Sequence, residues 1–468
     1  MDSPLDGTQL LDSPNLTSSS ADTRQMACEE CGLVVDLPAL QAGQKARCPR
    51  CHHTLLTQPL HPYQRVPAYA ITSLIMLILS VSFPFMSFSV KGLTQEITLF
   101  HSLQVLDKFQ NTLLALLLLG TVVVLPTLYI LLLLYLHLKA QYRQRNGITV
   151  PAHCLDILGC RLLFKIKPWL MVDVFLIGVL VSLIKIASLA DIGMGISFWA
   201  FCAYTLGVVK CVALSDKGWL WAQLVPALPT QHVCDEHHHL AAQYTNCPMC
   251  HQINALPHRR CRRCGSRIHA YNPARHLQQS WAWLITAVIF YLPASLYPMM
   301  YTVSLGKSDG STILGGVLLL WQLGSYPIAG VIFFASIVIP IAKMLTLAWL
   351  LITAQRQQHA TSAPRLTYLR AYRITEFIGR WSMIDIFVVA ILVALVQLHN
   401  LMAIYPGPAA LSFAIVVLST MISAMTFNPR LLWQPPAQPL TPSIHLNDSA
   451  HLSDSTHLSK AIKRNHDE

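Results

Sequence analysis

The stretch EFIGRWSMIDIFVVAILVAL, Glu376–Leu395, decides how the chain is read, because it occurs twice. FKIKPWLMVDVFLIGVLVSL, Phe164–Leu183, resembles it closely. Trp169 matches Trp381 and Asp173 matches Asp385, both at an offset of 212 residues. The correspondence continues outward from that pair. Pro126 in VVVLPTL matches Pro340 in SIVIPIA, and Pro84 in SFPFM matches Pro298 in LYPMM, each at 214. Cys48-Pro-Arg-Cys51 matches Cys261-Arg-Arg-Cys264 at 213. Self-similarity at long range sets the architecture, so it is read before local structure. Chance likeness between apolar segments does not hold several non-apolar anchors at a nearly constant offset.

The repeated stretch is apolar, and so is its surrounding. Of 468 residues 53% are hydrophobic and only 12% charged, about half the charged share of soluble domains. Mean hydropathy is +0.46. An apolar run of roughly 20 residues crosses a bilayer as a helix. Eight such runs are expected, at about 68–90, 111–138, 168–190, 194–214, 281–303, 327–353, 381–400 and 408–427. The net charge of +11 is a topology signal and not a nucleic-acid footprint. Lys139, Arg143, Arg145, Arg161, Lys165 and Lys167 lie between runs two and three. Arg356, Arg365, Arg370, Arg373 and Arg380 lie between runs six and seven, while the alternate loops hold only Lys91, Lys108 and Lys307. The positive-inside rule then puts both termini and the 215–278 loop in the cytoplasm.

The expected fold is an all-α polytopic membrane protein of two parallel repeats. Each repeat is a small zinc-ribbon module followed by a four-helix bundle. Four crossings give both halves one orientation, unlike an inverted repeat. The expected boundaries are a disordered tail at 1–25, ribbons at 26–56 and 232–272, bundles at 67–222 and 279–433, and a disordered tail at 434–468. The first 25 residues lack the apolar core of a secretion signal.

The ribbon modules are read from cysteine spacing. Module one is Cys28-x2-Cys31-x16-Cys48-x2-Cys51, and module two is Cys247-x2-Cys250-x10-Cys261-x2-Cys264. Two CxxC knuckles bring four soft thiolates into a tetrahedron suited to zinc, with no open position for a catalytic water. A reducing cytoplasm argues against disulfides. Iron–sulfur or redox use is the alternative, but a thioredoxin-like motif needs CxxC opening a helix in an α/β unit. The run HVCDEHHH, His232–His239, reads as a solvated linker, and Cys154, Cys160, Cys202 and Cys211 as buried small hydrophobes.

One apolar run carries a lysine. In FASIVIPIAKMLTLAW, Phe334–Trp349, Lys343 stands ten residues from the inner end of its span, roughly 15 Å deep. A charge there costs about 2.5–3.5 kcal/mol on insertion scales. Asp385, roughly 7–8 Å inside the next span, is the expected partner. Ser382 lies on the face of Asp385, and Ser336 on that of Lys343. Ser336, Lys343, Ser382, Asp385 and Thr420 are therefore expected to form one polar seam in the second bundle. The bland alternative is an ion pair that only fixes packing. The first half has Tyr129 at the register of Lys343 and Leu170 at that of Ser382, with Asp173 retained. Pro126 and Pro340 read as ordinary membrane-helix prolines or, more sharply, as paired kinks that open a cleft in each bundle.

The motifs GQKARCPRC, SFPFM, GLTQEITL, STILGGVLLLW, ASIVIP, GRWSMIDIF, MAIYP and SAMTFNPRLLW resemble the paraquat-inducible protein A family, which includes LetA. The resemblance covers nearly the whole chain outside its tails. It implies a bacterial inner-membrane protein that loads or receives phospholipid or other hydrophobic molecules moving between inner and outer membranes. It implies an MCE-domain periplasmic tunnel protein of the PqiB type as partner, an outer-membrane lipoprotein of the PqiC type, and membrane lipids. It also implies zinc in both ribbons and an intramembrane polar network at the five seam positions.

No catalytic residue is expected, and no GxxxxGK[ST] run offers ATP hydrolysis. A non-transporting anchor for the tunnel is the competing reading. A membrane redox protein would need facing histidines deep in spans, and His101, His137 and His399 sit near span ends. A metal transporter would want more intramembrane ligands than Asp173 and Asp385.

Overall fold

The computed structural model describes residues 24–90, 93–97, 118–146, 153–187, 191–228, 244–256, 258–304, 307–322, 326–357, 366–395, 397–398 and 402–433, with Leu116 and Gly324. The expected tails, apart from Arg24 and Gln25, lie outside these residues. So do the histidine run and most of the 91–110 loop, with His101 and His399. The side chains of Asp385 and Lys185 are outside them too.

Among the described residues, seven helical stretches are long and apolar enough to cross a membrane. They are Pro62–Ser82, Leu119–Asn146, Cys154–Leu183, Ile196–Leu214, Pro273–Leu296, Phe334–Arg356 and Pro408–Thr426. The run expected at 381–400 is a 12-residue helix, Ile384–Leu395. It continues, after a turn at Ser382–Met383, the helix Leu366–Trp381. The third span of each half is thus broken. In the first half Cys154–Ile166 (α3) and Val172–Ala187 (α4) are joined by a 3-10 turn at Lys167–Trp169. In the second, Leu366–Trp381 (α11) and Ile384–Leu395 (α12) meet at the same place in the repeat.

The other helices follow the repeat. In the first half they are α1 (Pro62–Ser82), α2 (Leu125–Asn146), α5 (Ile196–Leu214) and a short α6 (Lys217–Leu224). In the second they are α7 (Pro273–Leu296), α8 (Ile313–Gln322), α9 (Tyr326–Phe333), α10 (Ile339–Gln357) and α13 (Pro408–Thr426). First and fourth spans pack together in each half, α1 on α5 and α7 on α13. Pro126 and Pro340 each follow a π-wound segment, Leu119–Val124 and Phe334–Val338. A proline lacks the amide that an α-helical ladder needs, and a wider turn beside it absorbs the mismatch.

The outer ends of three expected spans are not helical. α1 stops at Ser82 with Phe83 extended, and α7 at Leu296 with Tyr297 extended. The proline that follows each, Pro84 or Pro298, disfavours helix in the residue before it. Beyond these prolines MSFSV alternates apolar and polar residues, the two-residue period of a strand, and MYTVS does so from Tyr301 onward. A three-stranded sheet has Met86–Val90 (β5) between Leu93–Ile97 (β6) and Asp191–Met194 (β7). A four-stranded sheet places Met300–Ser304 (β10) between Lys307–Ser311 (β11) and Met402–Pro406 (β13), with Gln397–Leu398 (β12) at the far edge. Met86 pairs with Ile97 and Met194, and Met300 with Ser311 and Pro406. Gly195 and Gly407 start α5 and α13 under these sheets, where a Cβ would sit 2.1 Å from the carbonyl oxygen of Pro84 or Pro298. Only glycine allows that approach.

The halves meet through equivalent helices, α4 against α12. Phe175 and Phe387, at the 212-residue offset, pack edge to face with centroids 5.6 Å apart. Gly178 lets the helices close, for a Cβ there would lie 3.1 Å from that of Phe387. Self-contact of equivalent residues is what two-fold packing of a duplicated unit requires. Gly178→Cys with Phe387→Cys is therefore expected to form a disulfide, whose Cβ atoms lie about 3.8 Å apart. After oxidation and cleavage at a protease site placed within 229–243, the halves are expected to stay joined on a gel until reduced. Halves that separate without reductant would contradict this packing.

Candidate functional site

All four cysteine knuckles fold alike. The amide of each second partner returns to the first cysteine: Gly32 to the Cys28 carbonyl at 3.0 Å, His52 to Cys48 at 2.9 Å, His251 to Cys247 at 3.0 Å and Gly265 to Cys261 at 2.8 Å. Gly32, His52, His251 and Gly265 all take positive φ, which glycine adopts freely. The result is two clusters, Cys28, Cys31, Cys48 and Cys51, and Cys247, Cys250, Cys261 and Cys264. In each, all four sulfurs lie within 4.8 Å of one another and every cysteine is buried. Cys28–Cys51 and Cys31–Cys48 sulfurs are 3.5 Å apart, Cys250–Cys261 3.5 Å and Cys247–Cys264 3.6 Å. A disulfide measures about 2.05 Å. A tetrahedral thiolate site with metal–sulfur bonds of about 2.3 Å has edges of roughly 3.8 Å. Both clusters fit a four-coordinate metal ion. The Ser266 hydroxyl lies 3.2 Å from Cys247 Sγ and 3.0 Å from Cys264 Sγ, and Asn254 Nδ2 donates to Cys261 Sγ at 3.5 Å.

Each ribbon docks its knuckles on the opposite half. Ribbon one is built of Arg24–Ala27 (β1), Val34–Leu37 (β2), Lys45–Arg47 (β3) and Thr54–Thr57 (β4), and ribbon two holds Tyr244–Asn246 (β8) and Ile253–Ala255 (β9). Arg373 of α11 donates to Glu30 and, at 2.8 Å, to the Cys51 carbonyl. Its equivalent in α3, Arg161, faces ribbon two, its guanidinium 2.7 Å from where a Gly265 Cβ would stand. Arg430, just past α13, donates to the Glu29 carbonyl at 3.1 Å and the Cys28 carbonyl at 3.2 Å. Lys217, just past α5, donates to the Pro248 carbonyl of ribbon two. Arg50 stacks on Trp433, 4.6 Å from the ring centroid. Arg263 donates to the Val225 carbonyl at 2.9 Å. The ribbons also touch each other, Asn246 Nδ2 donating to the Ala27 carbonyl at 3.2 Å. Burial works against ionised Glu30, but His53 and Arg373 outweigh it and hold its pKa below the usual carboxylate value.

At the broken span of the second half lies the lysine. Lys343 is 3% exposed, and its Nζ donates to Thr420 Oγ1 at 2.9 Å. Thr420 in turn donates to the Val417 carbonyl at 2.9 Å. The amine also lies against Gly379, in the last turn of α11, where a Cβ would be 3.3 Å from it. Ser382 donates to the Gly379 carbonyl at 3.0 Å. The structure thus brings Lys343, Thr420 and the Gly379–Ser382 turn together. Ser336 lies buried in the π segment, toward the sheet end of the same span. Asp385 begins α12 beside the break, its side chain outside the described residues, so the expected ion pair is not among the described contacts. Sequence reading missed Gly379, whose role depends on a neighbouring helix. In the first half Tyr129 is fully buried, its hydroxyl 2.6 Å from Ser215 Oγ, and Lys167 donates to the Ser215 carbonyl at 3.2 Å.

A family model described as paraquat-inducible protein A matches the chain twice, over residues 63–225 and 277–436. The chain belongs to the paraquat-inducible protein A family. The double match coincides with the two structural repeats. An intermembrane transport protein, PqiA, of Escherichia coli strain K12 is 40% identical over 88% of the chain and 95% of its own length. A probable intermembrane transport protein of Haemophilus influenzae is 27% identical, covering 90% and 98%. The lipophilic envelope-spanning tunnel protein A of Escherichia coli strain K12 is 26% identical, covering 87% and 90%. No solved structure matches the chain.

Each cysteine cluster can hold one metal ion, two equivalents per chain when both are filled. Cys31→Ser and Cys250→Ser are each expected to remove one, and the double variant both, by elemental analysis of the purified protein. A single variant that loses both would mean that the ribbons fold only as a pair.

Proposed function

We propose that this chain is the inner-membrane subunit of an MCE-type transport system, which loads or receives phospholipid or other hydrophobic molecules moving between the two membranes. In this reading the ribbons and both termini are cytoplasmic, and the sheets face the periplasm. A PqiB-like MCE-domain tunnel protein meets them there, with a PqiC-like lipoprotein at the outer membrane. The names of the relatives support transport across the envelope. The observation that carries the reading is the buried Lys343 amine at a broken helix. Discontinuous helices at membrane depth recur at transporter binding sites, where helix ends present charge to substrate. An intramembrane cation is costly and by default functional.

The residues divide the work as follows. Thr420 holds the amine in one direction, and the end of α11 attracts it through the partial negative charge of its carbonyls. An anionic headgroup reaching the break gains a charge-assisted hydrogen bond in a site shielded from water. The π segments before Pro126 and Pro340 let each second span flex without breaking its ladder further. Tetrahedral thiolate sites suit zinc, which we take as the ion in both ribbons. It supplies rigidity there and no chemistry, and the chain itself catalyses no reaction.

Lipid transfer from vesicles that hold the full chain and its tunnel partner tests this. Losing a hydrogen bond to a charged group costs about 1.5–3 kcal/mol, so Lys343→Met is expected to slow transfer by about tenfold or more. Thr420→Val is expected to slow it severalfold, and Thr420→Ser to restore it. Normal rates in Lys343→Met and Thr420→Val, at normal protein levels, would favour the tunnel anchor that transports nothing.

A further inference from the structure

We infer that Gly379 is a positioning residue for the buried amine: its missing side chain leaves the space in which Lys343 lies, and so fixes the amine at Thr420. This rests on the transport reading for its consequence, though not for its geometry.

Glycine at 379 has no backbone reason. The residue lies in the last turns of α11 and is not among those with positive φ. Glycine inside a helix is destabilising relative to alanine. Space supplies the reason. Among the described residues, the only atoms beyond its own helix that a Cβ would meet within 4 Å are Lys343 Nζ, at 3.3 Å, and Lys343 Cε, at 3.4 Å. A single methyl would press on the amine, and a larger side chain would take its place.

The first half repeats the scaffold with the parts exchanged. Position 167, equivalent to 379, is lysine, and position 129, equivalent to 343, is tyrosine. Where the amine comes from the neighbouring span, the break carries glycine. Where the break supplies the amine itself, the neighbouring span carries an aromatic ring. The Lys167 amine reaches the carbonyl of Ser215, the counterpart of Phe427. Phe427 lies seven residues beyond Thr420, about 10 Å nearer the ribbons. The pair at 343 and 379 therefore decides depth, and among the described side chains only the second half holds an amine deep in the bundle.

The test uses the full chain in detergent–lipid micelles and in vesicles with the tunnel partner. Lys343 is acylated with acetic anhydride and quantified by mass spectrometry, alongside thermal unfolding and lipid transfer. Gly379→Leu is expected to raise Lys343 labelling about fivefold or more and to slow transfer about tenfold, with the unfolding temperature little changed. Gly379→Ala is expected to give a smaller rise in labelling and a two- to threefold slower transfer. Its unfolding temperature should be equal or higher, since alanine is the better helix former. Unchanged labelling in both variants overturns the inference, whatever transfer does. If Gly379→Leu fails to fold, labelling of Gly379→Ala decides alone. If labelling rises as expected while Lys343→Met transfers at full rate, the positioning stands and the transport reading falls.

Discussion

Phe175 rests on Phe387 because one helix, used twice in the chain, packs against its own copy. The contact between α4 and α12 imposes an approximate two-fold relation, and cations that join the halves come in pairs on either side of it. Arg161 and Arg373 reach the second knuckle of the opposite ribbon. Lys217 and Arg430 reach the residue after its first cysteine. Arg50 and Arg263 return the contact from the ribbons to the segments past the fourth spans. Three pairs of cations thus cross between halves at one end of the molecule, two of them at equivalent positions of the repeat and the third, Lys217 and Arg430, one residue out of register. The duplicated helix fixes the middle, and the ribbons fix the end.

The repeat, the four knuckles and the apolar spans were legible in the sequence, because each depends on spacing within a short segment. The strands Met86–Val90 and Met300–Ser304 were hidden by their own hydrophobicity. A window long enough to find a span averages over a two-residue alternation, and the prolines that end α1 and α7 looked like ordinary membrane prolines. The breaks in the third spans do carry local signals, Pro168 in the turn Lys167–Trp169 and Gly379 just before Ser382–Met383, but a span-length window of apolar residues runs across them. The crossed docking was masked in another way. In the sequence Arg161 and Arg373 read as topology signals, which says nothing of their partners. Gly379 was invisible because its space is filled from another helix.

The two halves share a scaffold and differ where it matters. At the register of Lys343 the first half buries the Tyr129 ring, and its hydroxyl is satisfied by Ser215. A neutral hydroxyl with a partner costs little to bury, whereas an ammonium costs several kcal/mol. At this register, therefore, one bundle buries an amine and the other a neutral ring, on nearly the same backbone.

The crossed ribbons also order the events of folding. Glu30 is synthesised 343 residues before its partner Arg373. Ribbon one meets Lys217 and Asp216 of the first half through Glu29 and Thr57, and completes its docking on Arg373 and Arg430 only when the second bundle exists. The ribbon's own apolar core is small. Its core is Met26, Leu37, Ala46 and Leu55 around the four cysteines. A unit shorter than about 40 residues rarely stands on apolar burial alone. A metal ion on the four thiolates would supply the missing stability, since for such sites binding free energy is folding free energy. Ribbon two emerges when the first bundle is already made. The chain closes its own clasp last, with the part it made first.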